Sequence, residues 1–398
     1  MTSKAKQERL VSLDQFRGYT VVGMLVVNYL GSYQVVPAVL KHHHTYCSYA
    51  DTIMPHFLFA VGFAYRLTFL RRLECEGAAA AYRRVIRRLV GLLLVALMVH
   101  SASTVSSSWS ELKQMGLFGA LWQPVKREWF QTLTHIAVTS LWITPVVGRS
   151  LLLRSSFAIG SLILHVLLSA WFNFSWTWTS PMSIDGGPWG FLTWSTAAVG
   201  GTIAYDIVAK HRAVIPQLLK VGVAMMAVGW LLSCGTRYYD ADLSPKLRVA
   251  WRPFVGHPDR IAENPVFPWF GRVSSVFPGL AEPPFVAPPD NRQYNYWMMS
   301  QRAATATYLI FATGFSFAVY ALFYWLCDRH HWSLGIFDTF GSNALAAYVI
   351  HSIVDSGVSP FVPGDAPAWY VTVSFAMFLG ISYLFVRSLQ KQGIFLRL

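Results

Sequence analysis

The sequence predicts an all-α polytopic membrane protein: a bundle of about ten transmembrane helices, with eleven as the alternative count, and both termini cytoplasmic. Three observations predict it. Of 398 residues, 54% are hydrophobic and only 13% charged, against about 25% charged in soluble domains, and mean hydropathy is +0.40. Apolar segments of about 18–23 residues recur along the chain, each long enough for a hydrocarbon core of ~30 Å. Lys and Arg gather in alternate connecting loops, the asymmetry that sets orientation. In lipid an open chain satisfies its backbone hydrogen bonds only as helix, so every span is expected to be α.

In order, the spans are expected at 17–36, 50–70, 86–104, 130–148, 151–172, 189–208, 214–234, 304–326, 337–356 and 368–388. The first 16 residues are polar and charged with no small-residue cleavage site, so the first span is expected to act as an uncleaved signal-anchor. Basic residues fall at Lys4, Lys6, Arg9 and Arg17, then at Arg71, Arg72, Arg83, Arg84, Arg87 and Arg88 after the second span. Later alternate loops carry Arg149 and Arg154, Lys210 and Arg212, Arg329, and Arg387 with Lys391, whereas 173–188 and 357–367 carry none. The loop joining the first two spans is then extracytoplasmic, and the expected location is a bacterial inner (cytoplasmic) membrane. Residues 105–129, with Trp109, Trp122 and Trp129, read as an interfacial amphipathic piece. Residues 235–303, rich in Pro, Arg and aromatics, read as an extracytoplasmic cap within a single domain spanning 1–398.

The net charge of +13 does not indicate nucleic acid, because the basic residues lie in short loops between apolar segments rather than in a stripe. Cys47, Cys75, Cys234 and Cys327 lack metal-ligand spacing, and no metal is expected. Cys47 and Cys234 share the expected outer side, where a disulfide is the alternative to separate thiols. GxxxxGK, GxSxG and HExxH are absent.

The chemistry-bearing residues concentrate in the first hairpin. His42, His43 and His44 occupy its short polar loop. Histidine titrates near neutral pH and is the commonest general base. A solvated loop or a metal-binding run are the alternatives, although adjacent imidazoles diverge and chelate poorly. Asp51, on the other arm, either orients an imidazole or N-caps the second span. Asp14 and Arg17 share a helical face at the inner mouth, where Arg suits the phosphates of an anionic cofactor. Helix capping by Ser12 or Asp14, or an ion pair between helices, is the structural alternative. Asn28 lies about 16 Å deeper on the same face as Arg17. His100, His135 and His165 read as satisfied bundle histidines. Asn343, Tyr348 and His351 lie on one span, with Asn343 and His351 close to one stripe, which either lines the site or packs.

RLVSLDQFRG, MLVVNYLG and LKHHHTYCSYADTIMPHFLFAVG together resemble the N-terminal hairpin of the heparan-α-glucosaminide N-acetyltransferase family. Its pattern reads approximately RxxSLDxxRG, VNxxG, a KH pair in the outer loop, then T-x-x-D-x-x-F-P-x-F. GSNALAAYVIHS and KQGIFLRL resemble its C-terminal end. The likeness covers about residues 9–72 and, more weakly, 189–209 and 336–398. It implies a transmembrane acyltransferase taking acetyl from cytoplasmic acetyl-CoA to an amino sugar or glycan on the far side. The histidine of the KH pair is the implied base, assisted by the first-helix Asn.

Carried over, these are His42 and Asn28; Asp51 matches the motif aspartate, and Ser48 stands where the family has Thr. Met54 replaces a family Phe, and the HHTYC run replaces the family's Trp and Gly. Aligned without a gap from Asp51, Lys41 takes the histidine position, and one deletion restores His42. All three imidazoles therefore stay open as the base. The catalytic set expected is His42, His43, Asn28 and Asp51, and the acetyl-CoA set is Asp14, Arg17, Ser48, Asn343 and His351. Expected partners are acetyl-CoA, a sugar or glycan acceptor, membrane lipid and a second copy as homodimer. The rival reading is a secondary transporter of a small polar solute, supported by many spans and buried polar residues but lacking an inverted repeat.

Overall fold

The computed structural model describes residues 10–100, 102–240, 260–268 and 279–396. It is all-helical, with 72% helix and no strand among the described residues; the extended backbone pairs only as isolated bridges, Asp240 with Arg292 and Ile261 with Tyr294. Among the described residues the α-helices are α1 (Val11–Leu30), α2 (Tyr49–Glu76), α3 (Ala78–Val99), α4 (Trp109–Gln123), α5 (Thr132–Ile143), α6 (Leu151–Leu168) and α7 (Phe174–Trp178). They continue as α8 (Phe191–Lys210), α9 (Val214–Ser233), α10 (Ala306–Phe323), α11 (Gly335–Ser342), α12 (Ala344–Val358) and α13 (Ala368–Lys391).

Among the described residues, five helical stretches are long and apolar enough to cross a membrane: Tyr49–Glu76, Leu151–Trp178, Val214–Tyr239, Ala306–Arg329 and Ala368–Lys391. The second is mostly unburied, presenting Leu152, Ile163, Leu167 and Trp171 outward. A row of bare apolar side chains of that length is a lipid-facing surface, and the protein is an integral membrane protein. α1, α3 and α8 are comparably long, at 20, 22 and 20 residues, with more polar composition.

Several expected boundaries move, the third span among them, which is α3 from Ala78 to Val99 rather than 86–104. α1 begins at Val11 and ends at Leu30, not at 17 and 36. Its first turn is held by burial: Phe16 packs edge-on against Phe59, Tyr320 and Phe323. Neither Ser12 nor Asp14 caps it; Leu10 occupies the cap position without a side-chain bond. The Ser12 amide instead donates to Asp328 Oδ1 at 3.4 Å. The span expected at 337–356 is broken at Asn343, which separates α11 from α12 with φ −135° and ψ 47°. Its side chain explains the break, because the Asn343 amide donates to the Ile394 carbonyl and its oxygen accepts from the Leu396 N–H, drawing the residue out of the helix. The expected interfacial piece contains α4, kinked at Gly116 and exposing Trp109, Leu117 and Phe118.

Glycine lets backbones touch where α2 meets α8. A Cβ on Gly62 would lie 1.9 Å from the Ala198 carbonyl oxygen, and one on Gly201 1.9 Å from that of Phe59, the small-residue packing common between membrane helices. A buried ion triad ties α2, α6 and α8: Arg66 Nε bonds Asp206 Oδ1 at 2.7 Å, and Arg154 Nη2 bonds Asp206 Oδ2. Arg154, expected in a loop, is fully buried and also donates to Thr202. Asp206→Ala leaves two guanidiniums without their carboxylate and is expected to cost about 3–5 kcal/mol. Thermal unfolding in detergent checks this; a melting point equal to wild type would show that the triad is not needed. All four cysteines are free thiols, so Cys47 and Cys234 are not bridged.

Candidate active site

The site is built where α1 returns into α2. Ser48 is the N-cap of α2 and forms a capping box with Asp51: Ser48 Oγ accepts from the Asp51 N–H, and Asp51 Oδ2 accepts from the Ser48 N–H at 2.8 Å. The carboxylate is fully buried and sits at the positive end of the helix. Oδ2 is thus committed to the cap, and Oδ1 faces His42. Ser48→Ala should lower stability by about 1 kcal/mol through loss of the cap, read as a small fall in melting temperature.

The three imidazoles point to three different partners. His42 Nδ1 lies 2.9 Å from Asp51 Oδ1 and 3.0 Å from Gln301 Oε1. Both are acceptors, so Nδ1 carries the proton and Nε2 keeps its lone pair. Nε2 has no hydrogen-bond partner among the described residues, and the side chain is 38% exposed. Burial acts against protonation of His42, but the hydrogen bond and charge of Asp51, joined by Asp185 and Gln301, outweigh it, so its pKa is raised.

His43 turns onto its own loop. Its Nε2 bonds the Ala38 carbonyl at 2.8 Å, and its ring stacks on Tyr46 with centroids 4.3 Å apart. His44 Nε2 accepts from Arg302 Nη2 at 2.7 Å. Burial, then the Arg302 charge, lowers the His44 pKa to about 3, so this ring is a neutral acceptor near pH 7.

Three members of this constellation escaped sequence reasoning: Asp185, Gln301 and Arg302. Asp185 is 3% exposed, in a turn with φ +56°. Gln301 Nε2 donates to Asp185 Oδ1 at 3.0 Å. The two loops are clasped further by Gly186 N–H to the Arg302 carbonyl at 2.8 Å and by Arg302 Nη1 to the Ser183 carbonyl at 3.1 Å. Burial raises the Asp185 pKa to about 6. The available signal was SIDGG (Ser183 to Gly187), an acid followed by two glycines between apolar segments.

The remaining expected residues lie elsewhere. Asn28, near the C-terminal end of α1, is exposed, and its side chain has no hydrogen bond among the described residues. Asp14 and Arg17 form a 3.9 Å pair at the opposite end of α1, roughly 20 Å along the helix from Leu30. The charges of Arg17 and Arg72 both bear on Arg88 there. Asn343 belongs to that end too, since neighbouring Gly341 packs on the Asp14 backbone, and its amide is engaged by the C-terminal backbone. His351 Nδ1 bonds the Tyr348 carbonyl, whereas the Tyr348 hydroxyl meets His100 Nε2 at 3.1 Å. The structure therefore gathers His42, Ser48 and Asp51 with Asp185 and Gln301, and leaves Asp14, Arg17 and Asn343 at the far end.

Of the other buried histidines, His165 bonds Tyr296 and Asn173. His135 is not satisfied as expected: neither ring nitrogen has a partner among the described residues, and the ring sits between Phe130 and Trp194. A cleft beside the histidine loop is lined by Thr45, Tyr46, Glu282, Arg292 and Met298.

Residues 9–188 match the family model described as heparan-alpha-glucosaminide N-acetyltransferase, catalytic. No curated protein matches the chain. The matched stretch contains His42, Asp51 and Asp185, and ends before Gln301 and Arg302.

Proposed function

We propose that this chain, heparan-α-glucosaminide N-acetyltransferase-like over residues 9–188, carries acetyl from cytoplasmic acetyl-CoA to an amino sugar or glycan across the membrane, with His42 as general base. The observation that supports it most is the His42–Asp51 bond, which leaves Nε2 unprotonated on the one imidazole of the three whose ring bonds a carboxylate.

In this reading the acceptor amine or hydroxyl attacks the thioester carbonyl while Nε2 takes its proton. The C–S bond then breaks, and the departing thiolate takes the proton back from the imidazolium as CoA. Asn28, uncommitted near the loop end of α1, is suited to donate to the developing oxyanion. The donor phosphates would lie toward Arg17, with Arg72 and Arg88 adding positive charge. The ~20 Å along α1 is a length that the extended pantetheine arm is suited to bridge. The cleft at Tyr46 and Glu282 is the route offered to the acceptor. Ser48 contributes through the cap that holds Asp51 rather than by touching the donor, and Asn343 and His351 support the bundle.

Purified protein incubated with labelled acetyl-CoA and a panel of amino sugars and glycans is expected to release CoA and label an acceptor. Absence of acetyl-CoA binding by thermal shift would overturn the assignment. Solute uptake into proteoliposomes without acyl transfer would favour a transporter.

A further inference from the structure

We propose that Asp185 and Gln301 are positioning residues for His42: Asp185 locks the Gln301 amide so that its oxygen, together with Asp51, holds the Nδ1 proton. The proposal rests on His42 being the base.

The argument follows donors and acceptors. An amide side chain has one accepting and one donating end. Gln301 places one end 3.0 Å from Asp185 Oδ1 and the other 3.0 Å from His42 Nδ1. A carboxylate accepts, so the Gln301 NH2 faces Asp185 and its oxygen faces His42. The order Nδ1–H to Oε1, then Nε2–H to Oδ1, selects the tautomer in which His42 Nε2 is basic. Without Asp185 the amide is free to turn over, and its NH2 would select the opposite tautomer.

Asp185 is itself held firmly. Its left-handed backbone suits Asp, and its carbonyl accepts from the Trp194 indole at 2.8 Å. Gly190 lies so close that a Cβ there would sit 2.1 Å from the same oxygen. The charged and titratable groups around His42 are Asp51 and Asp185, His43 turned onto Ala38, and His44 with Arg302, which face each other. Arg127 bears on His44 and Arg302. Two carboxylates thus act on His42, Asp51 directly and Asp185 through Gln301, whereas the Arg302 guanidinium is directed at His44.

The test compares wild type with Asp185→Asn, Asp185→Ala and Gln301→Met. The reactivity of His42 toward diethyl pyrocarbonate is followed against pH by peptide mass, which needs neither donor nor acceptor; acetyl transfer is followed in parallel. The expected result is a reactivity midpoint lower by about half a pH unit or more in all three. The Ala and Met variants should also lose about tenfold or more in kcat, with KM for acetyl-CoA unchanged. Asp185→Asn, which keeps an acceptor for the amide, should retain most of kcat and so separates lost charge from lost packing. An unchanged midpoint in the Asn and Met variants, both near-isosteric and expected to fold, overturns the relay. Shifted midpoints without any acetyl transfer by wild type would keep the relay and remove the acyltransferase reading instead.

Discussion

His42→Ala is expected to lower kcat for acetyl transfer by about 10²–10⁴-fold, the usual contribution of a positioned general base, with KM for acetyl-CoA near wild type. Neither neighbouring ring bonds a carboxylate. His43 spends Nε2 on the Ala38 carbonyl and its face on Tyr46. His44 accepts from Arg302, and its pKa of about 3 makes it a very weak base. His43→Ala should therefore stay within a few-fold of wild type. Added imidazole, filling the space left in His42→Ala, should recover part of the rate. A His42→Ala protein of normal activity, beside an inactive His43→Ala, would move the base to His43.

Asp51→Asn should have the second largest effect, about 10²-fold or more in kcat, with a distinct signature in pH. The cap decides which way the new amide points. The Ser48 N–H needs an acceptor where Oδ2 now sits, 2.8 Å away. The Asn oxygen takes that place and its NH2 faces His42 Nδ1. A donor there opposes the Nδ1–H tautomer and puts the proton on Nε2, where it blocks catalysis. The pH dependence follows from the raised His42 pKa. The base works when neutral, so activity rises with pH through that raised pKa. In Asp51→Asn the rise moves to lower pH. Stability runs oppositely: the His42–Asp51 attraction is fully present below the unfolded histidine pKa and is lost as pH climbs through the raised folded value. A pH–rate profile of Asp51→Asn superimposable on wild type would rule out Asp51 as the partner of the base.

Much of the helical frame was legible because lipid imposes a length: the stretches starting at Leu151, Val214, Ala306 and Ala368 begin within about two residues of expectation. The shift of α1 was not legible, since burial of Phe16 depends on α2 and α10, far away in sequence. Nor was the break at Asn343, whose partners lie 51 and 53 residues on. In the site, His42 and Asp51 could be paired because nine positions and one turn separate them. Gln301 is 259 positions from His42, and Asp185 is 116 from Gln301. No local pattern in a single chain joins residues at that distance.

The clasp between 183–186 and 301–302 has a consequence for how this candidate site can be inherited. The family match stops at residue 188, yet the histidine loop leans on Arg302 and Gln301. The portable unit is therefore larger than the matched segment. A chimera carrying residues 9–188 on a foreign remainder would bring the imidazole and its aspartate without the groups that hold them in register. Recombination or gene fission between the two parts would be tolerated only if both pieces are supplied and reassociate.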